Sequence, residues 1–335
     1  MQRHAAIARS WMEEGRRAAL VRVTDAAGLG PRVADEILLV DESGLPAGSL
    51  LGGALDSELT SAATDLLADP ARSVATLSLD VSHDDAESAG LTCGGYVHVL
   101  VQRLDDVPVQ LWDALVDGRP AALTTALDGE AGAIAHVGGR APEGSLGSAA
   151  LDDLARATAS PLLALPGHHV SRARLDDVEL IVEAWHPVPQ LVVVGGSAIS
   201  EALVAQAGVL GWPASIVTTR DEAVTAVTAM RVSDVVVVVD HDHDLATAVL
   251  VAALQGEPFY VGALGARHTQ VERMARLERA GVGSEALERY HGPTGLDLGA
   301  RSPAESAVSI VAEILAVRSG RPAAPLGRTA GRIGG

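Results

Sequence analysis

The chain has 335 residues, enough for two hydrophobic cores and too many for one ordinary domain. Its formal charge of −18 and pI near 4.9 argue against a nucleic-acid or anionic-membrane partner, since an acidic surface repels both. All 25 cationic side chains are Arg, which excludes Schiff-base chemistry on a lysine, and Cys93 is the only cysteine, which excludes an internal disulfide.

From Met1 to Leu20 the chain mixes Glu13, Glu14 and several Arg with apolar residues, so it lacks the h-region of a signal peptide. No apolar run approaches bilayer-spanning length, and the protein is expected to be soluble and cytoplasmic. The spacing of Ile7, Trp11 and Met12 predicts an amphipathic helix over 5–17. Strands are expected at 18–24, 36–40 and 45–51, the last two joined by the turn Asp41-Glu42-Ser43-Gly44. Gly52-Gly53 should open a helix over 54–67. Strands at 74–79 and 96–101 flank a polar loop that ends in Thr92-Cys93-Gly94-Gly95. The runs 123–126 and 133–137 read as a hairpin around Asp128-Gly129, and 179–185 reads as a further strand. Residues 1–185 therefore read as an α+β domain.

His186-Pro187-Val188-Pro189 is the clearest linker, because two prolines so close resist helix and central strand alike. The rhythm then changes to short apolar strands at 191–194, 214–217, 235–239 and 259–261. Helices are expected between and after them at 199–210, 222–230, 245–254 and 269–280. Apolar strands with crossover helices predict a parallel sheet covered on both faces, a Rossmann-like domain over 190–318. Its last helix has Ser302 as N-cap, Pro303 at the first position and Glu305 completing a capping box. Ala304, Ala307, Val308, Val311, Ile314 and Leu315 mark its buried face. The Gly-, Pro- and Arg-rich tail 319–335 is expected to be disordered.

Glycines punctuate this second half where backbone N–H groups at helix N-termini can hold anions, although any of them could serve only a tight turn. One pattern runs Tyr260-Val261-Gly262-x-x-Gly265-x-Arg267, then Gly292-Pro293-x-Gly295-Leu296-Asp297-x-Gly299-Ala300. It continues Pro303-Ala304-Glu305-x-Ala307-Val308-Ser309-Ile310 and Ala312-Glu313-Ile314. The whole resembles the XdhC/CoxI family, accessory factors for molybdenum hydroxylases such as xanthine dehydrogenase and carbon monoxide dehydrogenase. The resemblance implies a maturation factor rather than an enzyme. Such a protein binds molybdenum cofactor of the molybdopterin type, shields it during sulfuration and hands it to an apo-hydroxylase. It also implies a sulfurtransferase partner and a homodimer.

Cys93-Gly94-Gly95 matches the family's Cys-Gly-Gly motif. A thiolate is a soft ligand suited to molybdenum or its sulfido group, and the two glycines allow close approach. A lone cysteine can equally be a small buried hydrophobe. The family's other cysteine follows a Gly-Gly pair; here Gly52-Gly53 is followed by Ala54, with Asp56 where an acid is usual. Gly28-Leu29-Gly30-Pro31-Arg32 resembles the family's Gly-Ser-Ser-Pro-Arg, with Arg32 offered to a phosphate or carboxylate.

The turn Gly195-Gly196-Ser197-Ala198 sits where a dinucleotide fingerprint would be, but Ser197 replaces the glycine that admits the pyrophosphate. The family usually has Gly-Ala-Gly-His there. At the second strand's end Thr218-Thr219-Arg220 lacks the ribose-binding acid and keeps an arginine for phosphate. NAD(P) is therefore disfavoured, and an NAD(P)-dependent oxidoreductase is the alternative reading. The missing Cys and His would also suit a degenerate paralogue that no longer handles cofactor. In Asp240-His241-Asp242-His243-Asp244, neighbours in an extended loop point apart, which disfavours a metal site and leaves Asp244 to cap the next helix. Arg267 is expected to grip phosphate, beside Gly262 and Gly265, and Asp297 to position it or a pterin amine, or else to stabilise its turn.

Overall fold

The computed structural model describes residues 1–30, 36–127 and 132–329. The chain divides into two compact units. One holds Met1–Ala164 and His168–Pro187, the other Leu165–Gly167 and Val188–Pro325.

In the first unit, α1 (Gln2–Glu13) leads into β1 (Ala18–Gly28), β2 (Ile37–Asp41) and β3 (Pro46–Gly48). Then come α2 (Asp56–Ala68), β4 (Val74–Val81), α3 (His83–Ser88) and β5 (Gly95–Arg103). A second series follows: α4 (Val109–Val116), β6 (Ala121–Ala126), β7 (Ala133–Val137), β8 (Glu143–Ser145), α5 (Ala149–Leu163), β9 (His169–Leu175) and β10 (Val178–Trp185). The strands build two antiparallel sheets, ordered β3-β2-β1-β5-β4 and β8-β7-β6-β10-β9. Side chains alternate across each strand, so each sheet has two apolar faces to bury. Leu20, Ile37 and Leu39 of the first sheet share a core with Leu123, Ala135 and Trp185 of the second, joined by Trp11 and Trp112 from α1 and α4. The outer face of the first sheet, with Val21, Leu38 and Val99, packs on Leu59, Ala63 and Leu66 of α2. On the second sheet Leu180 and Val182 are covered by Ala155 and Ala159 of α5. The result is a helix–sheet–sheet–helix sandwich.

The two sheets have the same strand order because the second series repeats the first, β1 to β5 answering to β6 to β10. The equivalence reaches single bonds. Ser49 Oγ donates to Asp56 Oδ2 at 2.9 Å while Asp56 Oδ1 accepts from the Leu50 N–H; Ser145 Oγ donates to Asp152 Oδ2 at 2.9 Å while Asp152 Oδ1 accepts from the Leu146 N–H. Gly48 and Gly144 both have φ of 96°. Strand register makes Arg22 equivalent to Thr125 and Gln102 equivalent to Glu183. These four meet in the buried centre. Arg22 lies 2.5 Å from Glu183, Thr125 donates to Gln102 at 3.0 Å, and Arg22 donates to Gln102 at 2.7 Å and to Thr125 at 3.3 Å. Exchanging the halves maps the Arg22–Glu183 contact onto the Thr125–Gln102 contact, so an approximate two-fold relates them. Among the described residues the copies differ most at one connection: β4 and β5 are joined through α3 and the Cys93 loop, whereas β9 and β10 are joined by a tight turn.

The second unit alternates β11 (Leu191–Val194), α6 (Ala198–Val209), β12 (Ala214–Val217), α7 (Arg220–Thr228), β13 (Val235–Val238), α8 (His243–Gln255), β14 (Tyr260–Ala263) and α9 (Arg267–Arg279). It closes with α10 (Ser284–Leu287), β15 (Tyr290–His291) and α11 (Pro303–Ser319). All pairings are parallel, in the order β12-β11-β13-β14-β15. Val235–Val238 is buried throughout, as a strand covered on both faces must be. Leu203 and Ala207 of α6 and Ile310 and Ile314 of α11 pack on one face of the sheet; Val227 of α7, Leu250 of α8 and Leu277 of α9 pack on the other.

Several expectations need correcting. The strand expected over 45–51 stops at Gly48, and Leu51 to Gly53 form a separate turn with positive φ at all three residues, so the helix begins only at Asp56. The helix expected from residue 222 starts at Arg220. Asp242, not Asp244, caps α8: its Oδ1 accepts from the N–H groups of Asp244 and Leu245. The hairpin turn at Asp128-Gly129 and the residue Arg32 lie outside the described residues. No described helix is long and apolar enough to cross a membrane.

Candidate functional site

In the first unit, the expected residues meet at one end of the first sheet. β1 ends at Gly28 where β5 begins at Gly95, and a Cβ on Gly95 would stand 2.1 Å from the Ala27 carbonyl oxygen. Nothing larger than glycine fits that approach. The Leu29 N–H donates to the Gly94 carbonyl and the Thr92 N–H to the Leu29 carbonyl, each at 3.3 Å, which ties the loop to the strand on both sides of Cys93. Cys93 itself is exposed. The Leu51-Gly52-Gly53 turn approaches from α2: a Cβ on Gly52 would lie 2.2 Å from the carbonyl oxygen of Ala89, four residues before the thiol. Gly52 and Gly53 are both exposed, so the turn beside the cysteine loop presents bare backbone. Cys93, Gly94, Gly95, Gly52 and Gly53 thus form one constellation. Asp56 faces inward as the clamp of that turn.

In the second unit, the loops following each parallel strand share the carboxyl edge of the sheet, where doubly wound folds bind ligands. Gly195 follows β11 and abuts the Asp240 backbone from the loop after β13. Gly196 comes next, and Ser197 caps α6 by a reciprocal hydroxyl pair with Ser200. Its hydroxyl is thereby taken up by the helix start that a pyrophosphate would use. Arg220 and Arg267 are the first residues of α7 and α9, and Gly265 precedes Arg267. Guanidinium groups at helix N-termini suit anions. Arg220 also lines an open groove of about 1420 Å³ with His241, His243, Arg276 and Arg279, where Asp221, Asp242 and Asp244 offset the positive charge. Asp297 is exposed in the loop before α11. Gly262 is buried, and its explanation is packing: a Cβ there would sit 2.7 Å from Thr294 Oγ1 and from the Tyr260 ring. Among the described residues no three His, Cys, Asp or Glu side chains converge as metal ligands.

Sequence reasoning missed the polar network behind that edge. Glu313 of α11 accepts from the Tyr260 hydroxyl at 2.6 Å and from the Gly295 N–H at 2.5 Å, and it meets His291 Nδ1 at 3.2 Å. Thr294 lies 2.6 Å from the Tyr260 oxygen, and the His291 ring stacks on Tyr260 at 4.3 Å. Burial pushes the Glu313 carboxyl up, but the bonds from His291, Tyr260 and Gly295 outweigh it and hold the group at about 2. Burial, then the bond to Glu313, pushes the Tyr260 phenol up, so it stays protonated and donates. The available signal was a carboxylate set between Ile310 and Ile314 on the buried face of the last helix.

A family model for the XdhC Rossmann domain matches residues 191–314, and one for the XdhC and CoxI family matches residues 11–79. The chain belongs to the XdhC and CoxI family. Within it, the chain is 28% identical over 160 residues to the molybdenum cofactor insertion chaperone PaoD of Escherichia coli, a match covering 48% of this chain and 49% of PaoD. It therefore spans about half the length of that relative. To a probable xanthine dehydrogenase subunit of Bacillus subtilis it is 22% identical over 330 residues, covering 92% of this chain and 95% of the other. A crystal structure named as a xanthine dehydrogenase from Bacillus halodurans has the same fold, with a TM-score of 0.58 and 20% identity over 96% of this chain and 98% of that one.

Proposed function

We propose that this XdhC-family chain is a maturation factor that binds molybdenum cofactor, protects it and delivers it to a molybdenum hydroxylase of the xanthine or carbon monoxide dehydrogenase type. The observation that carries the reading is the exposed Cys93 thiol on a loop fixed at both sides, next to the side-chain-free turn Gly52-Gly53. The donor chemistry fits. A thiolate is a soft ligand for molybdenum, and bare glycine backbone leaves room for a bulky group. The cofactor, when bound, supplies the redox metal that the client enzyme uses. The residues here do the holding: Cys93 at the metal end, with the backbone of Gly94, Gly95, Gly52 and Gly53 around it and Arg32 as a further contact. In the second unit Gly195, Gly196, Arg220, Gly265, Arg267 and Asp297 make up a surface for phosphate-bearing groups, while buried Gly262 serves packing rather than contact. No residue is assigned a catalytic role. The relatives named as a cofactor insertion chaperone and as part of a xanthine dehydrogenase support the class of client. A sulfurtransferase and a second copy of the chain are the further partners we propose, in the cytoplasm.

The test is to purify the full chain from cells that make molybdenum cofactor, then measure oxidised pterin by fluorescence and molybdenum by mass spectrometry. Both should co-purify with the protein and pass to an apo-hydroxylase on mixing. A protein that emerges with neither refutes the reading.

A further inference from the structure

The network behind the sheet edge contains one group that packing alone does not explain. Glu313 is ionised and can only accept, so the hydrogen shared with His291 belongs to the imidazole: Nδ1 donates at 3.2 Å. Tyr260 gives its own hydrogen to Glu313, so Thr294 donates to the phenol oxygen and the network is complete on that side. The imidazole is thereby fixed in one tautomer, and stacking on Tyr260 at an interplanar angle of 16° fixes the ring plane. The nitrogen left over is Nε2. It has no partner among the described residues, and the His291 side chain is 21% exposed. His291 lies in the edge strand β15, level with Gly262 and one residue from the end of β14, so the ring stands beside the ligand-binding edge. Carboxylate–imidazole pairs of this kind set the orientation and basicity of the outer nitrogen.

We propose that His291 touches the ligand of the second unit through Nε2, accepting a hydrogen bond from an N–H of a planar nitrogen heterocycle of the pterin class. A phosphate ester ionised at neutral pH has no hydrogen to offer an acceptor nitrogen, whereas the amide and amine edge of a pterin does. Glu313 is a positioning residue: it holds the proton on Nδ1 and so keeps Nε2 an acceptor. Tyr260 positions Glu313 in turn. The proposal rests on the cofactor reading given above.

His291→Asn is the discriminating variant, because the asparagine amide places an N–H near the former Nδ1 while removing Nε2. On full-length protein purified from cells making molybdenum cofactor, the variant should unfold at the parental temperature yet retain about tenfold less pterin, as loss of one ligand hydrogen bond predicts. Long-range ¹⁵N NMR on the unsubstituted protein provides a check that no folding defect can spoil: neutral His291 should carry its proton on Nδ1, and adding neopterin should shift Nε2. The opposite tautomer, an Nε2 indifferent to neopterin, or an asparagine variant that keeps full pterin would each overturn the proposal. If the parent holds pterin and the variant holds as much, only the role of His291 falls. A parent devoid of pterin sinks both readings.

Discussion

At the scale of single residues, the proposed metal contact is one exposed thiol, Cys93. Cys93→Ser keeps shape and polarity but removes the soft donor, and the loop around it is held by backbone bonds that serine leaves intact. The variant should fold as the parent does and lose most of its molybdenum, read by mass spectrometry on purified protein. Undiminished metal would reduce Cys93 to a surface residue. His136 on β7 makes a separate prediction. Burial pushes its imidazole down to about 4, with Arg156 adding to the shift, and the folded protein keeps it neutral. As pH falls from 6.5 toward 4, the unfolded chain gains a proton that the folded one refuses, so stability drops with pH. Allowing for partial solvent access, the loss should be about 2 kcal/mol. Glu313 adds its own loss as pH nears its ordinary value of 4.5, where the carboxyl is already half protonated in the unfolded chain. Urea unfolding at about pH 7.5 and about pH 5.5, above that range, isolates the histidine: the parent should weaken across that interval and His136→Gln should weaken less.

At the scale of elements, the repeat inside the first unit supplies its own control. Asp56 and Asp152 make the same two bonds, one beside the cysteine loop and one where no such loop exists. Replacing either by alanine removes two hydrogen bonds that are at most partly buried and should cost about 1 kcal/mol in denaturant unfolding. Only Asp56→Ala should also impair cofactor retention, by loosening the Gly52-Gly53 turn; equal impairment in both would show that Asp56 has no local role. Four of the five strands of the second unit were legible in the sequence, whereas β15 and α10 were too short to read. Val235–Val238 and its neighbours are unbroken apolar runs of strand length, and the Ser302–Glu305 capping box marks the start of α11. The first unit was read strand by strand, but its doubling was not. Periodicity reports which face of a strand is buried; it does not report which strands lie side by side. The shared spacing of Gly48-Ser49-Leu50 to Asp56 and Gly144-Ser145-Leu146 to Asp152 was the available clue. Buried Arg22 and Glu183 escaped for a related reason. Each is a fully buried charge in a largely apolar strand, and only the tertiary pairing shows that they compensate one another. In the candidate site, the glycines that let Gly28 meet Gly95 were visible as a motif, whereas the His291–Glu313 pair required two segments to be brought together.

At the scale of the whole molecule, a Rossmann fold does not by itself imply a dinucleotide. Ser197 spends its hydroxyl on capping α6, and the chain after β12 offers Thr218 where a ribose-binding acid would stand. Calorimetry on the full chain should therefore detect no NAD or NADPH binding tighter than millimolar. A micromolar constant, roughly 8 kcal/mol of binding energy, would restore the oxidoreductase reading.

The doubled frame of the first unit also governs how many thiol sites one chain can carry. When two identical chains pair about a two-fold, any substitution strikes both halves, and a site gained or lost is gained or lost twice. Joining the copies in tandem removes that constraint. One connection carries α3 and the thiol loop between β4 and β5, while its counterpart between β9 and β10 is a tight turn. The sandwich can therefore be twofold in its architecture and single in its cargo. The amount of metal held through sulfur should level off at one atom per chain, however much cofactor is supplied.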